Sequence, residues 1–339
     1  MSGSTFVTDY ARRGLAAWEA RALELARTDG LTPWPFVNVT VVDGDDTLVL
    51  PVQSDVLAVG TLADHVRLPL TPGVAQSIAN LSGSLLPTPW LEYVIWRSAA
   101  LKLPPTAMVP NQGANLEQYA AHSHIIDGQI ADATRPVADV GLNRALDAER
   151  YAHQTGDPNA YLVAGDAWQD IGAPVVGGLV SGIKKGVVVA NFYKPGKVLL
   201  FGWYRPSPDV FDDGKPMGVP DRQPIQPRSN VHGDFYVDYS HGIRLVAPVC
   251  TVNGVTMETA AVYQHPTLSR LVNRQSVDRS DGPVRVPRYP AAVPPAPVRM
   301  ASGATFPASQ AVAYRPGFVP LSPDPTELAL DDLARRNRG

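Results

Sequence analysis

Between residues 9 and 28, apolar side chains recur at steps of four and three: Ala11, Leu15, Trp18, Ala22 and Leu25. That spacing predicts one amphipathic helix with a packed face, capped by Thr8 or Asp9, with Gly30 past its end. The period then falls to two. Val37–Val42 and Thr47–Val52 flank Asp43-Gly44-Asp45-Asp46 and predict a hairpin, with further short strands at 55–59 and 66–70. Thr71-Pro72 and Thr88-Pro89 each place a capping hydroxyl before a proline at a first helical position, which predicts helices over 72–81 and 89–100. Residues 115–133 read as another helix, with Leu116, Tyr119, Ile126 and Ile130 as its apolar side.

A polar stretch over 134–172 separates this part from a β-rich one. Val187–Tyr193, the turn Lys194-Pro195-Gly196-Lys197 and Val198–Tyr204 predict one hairpin, preceded by the basic pair Lys184-Lys185. Ile243–Val252, Asn253-Gly254 and Val255–Thr259 predict another, with type I′ chemistry. Residues 205–230 form a long loop rich in proline and aspartate. From 282 to 325, eleven of 44 residues are proline, which predicts an extended arm on its own domain or on a neighbouring subunit. The arm carries Tyr289, Met300, Phe306, Tyr314 and Phe318, and a short helix at 325–336 closes the chain. The expected organisation is an α+β domain over about 1–281, with a mixed or antiparallel sheet and packed helices. Its parts are a helix and hairpin region (1–134), a β-rich region (135–281), an extended arm (282–325) and a terminal helix (326–339).

Composition narrows the classes. Lys and Arg total 29 against 32 Asp and Glu, a net charge of -3, so neutralising nucleic acid is not the expected task. Hydrophobic residues make up 45% of the chain, too many for a wholly disordered one. The lone Cys250 excludes a disulfide framework or a cysteine-cluster metal site. No segment reaches the about 18 apolar residues of a membrane span. The start lacks the apolar stretch of a secretory signal, so the chain is expected to be cytoplasmic at synthesis and to act in a virion or another particle.

Candidate chemistry concentrates in 229–244. On a strand over 235–240, Tyr236, Asp238 and Ser240 would share one face, and Gly242 would let His241 swing round beside them. Two readings follow. His232, Asp238 and His241 form a two-nitrogen, one-carboxylate zinc site with an open position. Alternatively Ser240 is a nucleophile, with a histidine as base and Asp238 orienting it. Arg244 is the candidate clamp for a substrate carboxylate in either. A polar network that pins a strand junction is the non-catalytic alternative. Elsewhere, His122 and His124 stand two apart on a helix and cannot share an ion. His122 is read as solvent-facing, and His124 as buried or supporting a site beside Asp127. The acidic turn at 43–46 lacks the glycine and distal glutamate of a calcium loop and reads as a solvated tip.

Two resemblances add to this. Ser229, His232, Asp238 and His241 resemble the motif of zinc-dependent peptidoglycan peptidases of the D-alanyl-D-alanine carboxypeptidase type, Ser-x-His, six residues, Asp and a later His. Here Ser229 lies three before His232, and five residues separate His232 from Asp238. That likeness implies a peptidoglycan or peptide substrate. Leu86-Pro87-Thr88, Gly182–Val188, Val198–Tyr204, Pro224–Pro227 and Tyr236–Val246 resemble the ordered blocks of a bacterial and phage protein family with no established reaction, over about 68–272. The family carries His or Asp where Ile183 stands, Asp at Gly186 and His at Tyr204. The resemblance therefore implies a partly eroded site in a structural or interaction component of a particle, with subunit contacts through 282–339. A peptidoglycan hydrolase is the alternative.

Overall fold

The computed structural model describes residues 1–108, 115–134, 178–204, 224–276 and 279–298, and its architecture is α+β. The first amphipathic stretch is two helices, α1 (Gly3–Tyr10) and α2 (Leu15–Arg27), because Gly14 turns the chain between them at φ 78°. Ser2, not Thr8 or Asp9, caps the first by accepting from the Thr5 amide. The first hairpin is β1 (Phe36–Asp43) and β2 (Asp46–Gln53), followed by the short pair β3 (Ala58–Gly60) and β4 (His65–Arg67). The two Thr-Pro signals start α3 (Pro72–Leu81) and α4 (Pro89–Ser98), and Thr88 accepts from the Leu91 amide at 3.1 Å. Then come β5 (Leu101–Lys102), α5 (Leu116–Thr134), β6 (Val180–Ser181), β7 (Lys185–Val187), β8 (Leu200–Tyr204) and β9 (Pro224–Ser229). The last elements are β10 (His241–Gly242), β11 (Val249–Val252), β12 (Val255–Glu258), α6 (Thr259–Gln264), a 3-10 turn (Leu268–Leu271), β13 (Arg274–Ser276) and β14 (Arg279–Ser280). Both predicted turns carry left-handed residues: Gly196 at φ 73°, and Asn253 and Gly254 at 52° and 78°.

Two four-stranded sheets organise the chain. One has the order β1-β2-β11-β12 and is antiparallel throughout. The other, β10-β7-β8-β9, is mixed, with β10 parallel to β7. Because β2 pairs with β11, Val49 opposite Thr251, residues 1–134 and 178–281 share a sheet and are not separate cores. Helix α4 packs against strands of both sheets, β1 and β8, and is buried from Pro89 through Trp96. A helix apolar on nearly every side has no solvent face to offer, and PWLEYVIW is such a sequence. Among the described residues no helix is long and apolar enough to cross a membrane.

The acidic hairpin tip is neither a cation site nor freely solvated. Arg270 Nε lies 2.7 Å from Asp43, Arg274 reaches the same carboxylate, and Asp46 is held by Arg270 and by Asn253 Nδ2 at 2.6 Å. The chain neutralises that turn with its own arginines.

The proline-rich segment is part of the fold from its start. Val284 and Tyr289 are core residues, so the domain runs past 281. Along α3, Gln76 Oε1 accepts from the Tyr289 amide at 3.2 Å and Asn80 Nδ2 donates to Val293 O at 2.6 Å. Arg288 donates to Asn80 Oδ1 and to Ser84 O. Extended backbone with few internal bonds is thus satisfied by α3 side chains. This resolves the arm's position up to Val298: it lies on its own domain. The polar stretch after Thr134, the loop over 205–223, the arm beyond Val298 and the closing helix lie outside the described residues.

Tyr289 tests the strap. Its hydroxyl donates to Val188 O at 2.6 Å and accepts from the Leu199 amide at 2.9 Å. In urea unfolding, Tyr289→Phe is expected to cost about 1 kcal/mol through those bonds and Tyr289→Ala about 3–5 kcal/mol through the emptied volume. A Tyr289→Ala chain as stable as the parent would place the strap outside the cooperative unit.

Candidate functional site

The block 229–244 does not form the expected strand over 235–240. Asp238 Oδ1 accepts from the Ser240 amide at 2.7 Å, and Asp238 O accepts from the His241 amide at 3.1 Å. A side chain that bonds its own backbone two residues on folds the chain into a turn and competes with a ladder. From 235 to 244 only His241 and Gly242 are in strand conformation, paired with Lys185 and Gly186. Upstream, the loop is fastened to the 194–197 turn. The Val198 amide donates to His232 O at 3.2 Å, and the Asp234 amide to Gly196 O at 3.1 Å.

The structure brings Asp238, Ser240 and His241 together, but not as a nucleophilic triad. The buried Ser240 hydroxyl donates to Asp238 Oδ1, so the carboxylate, not an imidazole, faces the serine. Tyr236 donates to Asp238 Oδ2 at 3.1 Å, and His241 Nε2 stands 3.8 Å from that same oxygen. His232 is exposed and lays its ring flat on Tyr236 at 4.0 Å between centroids, while Tyr236 meets His241 edge-on at 5.6 Å. The Tyr236 phenol thus contacts both histidines. Among the described residues, no group of three or more His, Cys, Asp or Glu side chains is arranged to hold a metal ion, and the expected zinc set of His232, Asp238 and His241 is not formed. Arg244 is turned inward, donating to Gln53 O and to Val180 O at 2.7 Å, and those bonds leave no fork for a substrate carboxylate.

Electrostatics divides the cluster. Burial opposes ionisation of Asp238, but His241, the Ser240 bonds and Lys185 outweigh it and hold the carboxyl at about 2. Burial holds His241 down at about 4, against the pull of Asp238, so the imidazole is neutral at pH 7. Beneath the turn, Lys184 Nζ lies 2.7 Å from His122 Nδ1 and donates to Tyr239 O. Burial brings that ammonium down to about 7 and keeps His122 well below its ordinary value. His122 is therefore buried, with Nε2 on Thr106 O at 3.0 Å, and His124 is exposed, the reverse of the expected assignment. The apolar period of α5 decides this, since Tyr119 and Ile126 bracket the face that His122 shares. Asp127 belongs to another network, bonding Arg67 at 2.7 Å and facing His65 at 3.3 Å.

Glu92 carries no motif signal in the sequence. It is buried on α4, and burial lifts its carboxyl to about 7 although Arg244 pulls the other way. A Cβ built on Gly186 would stand 2.5 Å from Glu92 Oε1, so this carboxylate fills the space a side chain at 186 would need. Tyr204 stacks on Trp96 at 4.4 Å, and Ile183 is packed with Leu101, Leu103 and Ile126. The three positions where the chain departs from the block pattern are therefore a carboxylate contact and two packed side chains. No protein-family model, no curated protein and no solved structure matches the chain.

Two substitutions separate these roles. Asp238→Asn is expected to cost about 1–3 kcal/mol at pH 7 by weakening three bonds. The ionised carboxylate's share is full above its unfolded value near 3.8 and is lost as pH falls through about 2. Equal stability of the two chains across pH 3–7 would remove the network from the folding balance. Glu92→Gln should act in the opposite direction. The folded chain keeps the Glu92 proton up to about 7, whereas the unfolded chain releases it near 4.5. Parent stability thus falls as pH rises through that window, and the glutamine chain should gain on it by about 2–3 kcal/mol between pH 4.5 and 8. A gap that stays flat with pH would contradict a buried, protonated Glu92.

Proposed function

We propose that this chain is an interaction component of a particle of the phage-virion type, in which the Asp238, Ser240 and His241 cluster holds a contact loop in shape and does no chemistry. The observation that carries the reading is the contrast between that cluster and its surface. Ser240, Asp238 and Tyr236 spend their hydrogen bonds on one another, while Val231 and Phe235 of the same loop are 73% and 77% exposed. A fastened loop that presents large apolar side chains suits a protein contact, because its ordering cost is met before binding. The inward Arg244 and the packed Ile183 and Tyr204 support the same reading. So does the likeness of the sequence blocks to a family found in bacteria and phages.

The alternative is hydrolysis of peptidoglycan or a peptide. It is favoured by one observation, a buried neutral imidazole 3.8 Å from an ionised carboxylate. Quantitative mass spectrometry of purified particles, with the chain at a fixed copy number, tests the assembly reading. Phe235→Ser should lower incorporation at least about tenfold with little change in melting temperature, as loss of a buried aromatic contact requires. Cell-wall suspensions cleared by the parent chain and not by His241→Gln would overturn the proposal in favour of hydrolysis.

A further inference from the structure

We propose that Asn253, in the turn between β11 and β12, is a site of spontaneous deamidation that the fold holds dormant by clipping its side chain to the β1–β2 tip. The site is no part of the 231–236 loop and works whether or not that loop meets a partner. Asn253-Gly254 is the one Asn-Gly pair in the chain. Asparagine is chemically labile, and a following glycine has no side chain to keep its amide nitrogen from the asparagine carbonyl carbon. Both residues are exposed, and the Gly254 amide donates to no group among the described residues.

The fold occupies the side chain elsewhere. Asn253 Oδ1 accepts from the Thr47 amide at 2.8 Å, and Nδ2 donates to Asp46 Oδ1 at 2.6 Å. The Asn253 amide donates to Thr47 O at 2.8 Å. Three bonds thus draw one exposed turn residue onto the start of β2, and both polar atoms of its side chain are spent there. Reaction requires the side-chain amide to leave those partners and turn back to Gly254. Asp46 is itself held by Arg270, which also bonds Asp43, and Arg274 reaches Asp43 as well. The clip is therefore as firm as the tip it grips, and local opening of that tip is the step that exposes Asn253 to reaction.

The chemistry needs only water. The Gly254 nitrogen loses its proton to solvent hydroxide and forms a bond to Asn253 Cγ. The Cγ–Nδ2 bond breaks, and Nδ2 leaves as ammonia. One water then opens the five-membered imide at either carbonyl. Opening at one carbonyl gives aspartate, and opening at the other gives isoaspartate, in which the main chain runs through Cγ. Either product undoes the clip. Aspartate replaces the donor to Asp46 with a second carboxylate, beside a tip that already holds Asp43, Asp45 and Asp46. Isoaspartate adds a backbone atom to a two-residue turn, between strands that pair Val252 with Val255.

Peptide mapping by mass spectrometry, on the full chain incubated at mildly alkaline pH, reads the conversion of each asparagine. Asn253 should convert at least about tenfold more slowly in native buffer than in urea at the same pH, since two side-chain bonds must open first. Asp46→Ala removes one of them and should speed Asn253 about fivefold in native buffer, the factor carried by one hydrogen bond. Asn191 and Asn230 serve as internal references and should keep their parent rates in that variant, which separates a loosened clip from a loosened fold. Asn253→Asp supplies one product directly and should lower the melting temperature. Equal Asn253 conversion in native buffer and urea would overturn the proposal. So would an Asp46→Ala chain in which Asn253 is unchanged or in which all three asparagines speed up alike, and so would an Asn253→Asp chain that melts with the parent.

Discussion

The burial of α4 is the constraint on which the rest depends. The helix packs against strands of both four-stranded sheets, and Leu91, Ile95 and Trp96 are wholly enclosed. Burying several large side chains supplies a few kcal/mol each and makes this helix the joint of the core. The same burial has a cost, because Glu92 is carried inside with it and is held as the protonated acid. The sheet accommodates that carboxyl by having glycine at 186.

Around this joint, three buried cations bond named acceptors. Arg67 bonds Asp55 through Nε and NH2 at 3.0 and 2.7 Å and Asp127 through NH1. Arg244 holds the carbonyls of Gln53 and Val180, and so ties β2 to β6. Lys184 ties α5 to the Tyr239 turn through His122. These contacts contribute chiefly by giving buried donors their acceptors, since removing an acceptor strands the cation. They also explain why the 236–241 turn holds its shape although it has almost no strand pairing. It is fastened below by a lysine, within by Asp238 and upstream by the 194–197 turn.

The site and the fold therefore meet at β7. One side of this short strand faces Glu92 through Gly186, and the other presents Lys185 between His241 and Trp203. The two faces differ in what they hold. The α4 face is filled by aromatic rings, with Tyr204 stacked on Trp96. On the other face the Lys185 ammonium stands 4.7 Å from the centroid of the Trp203 ring.

Local signals in the sequence determined much of the secondary structure. Thr-Pro starts fix where α3 and α4 begin, and Asn253-Gly254 fixes a hairpin, because cap, ring and left-handed backbone are properties of adjacent residues. The apolar spacing located α2 and α5, and the density of ionisable groups located the 229–244 block. What adjacent residues do not fix is which side chain meets which. The partner of the buried His122 is Lys184, 62 residues away in sequence. The proline-rich strap reads as an arm on its own domain or on a neighbouring subunit until Gln76 and Asn80 take up its backbone. Glu92 carries no motif, and only the burial of α4 gives it neighbours. The sequence by itself determined the local elements; the tertiary structure alone decided burial and partnership, because these depend on contacts between residues far apart in the chain.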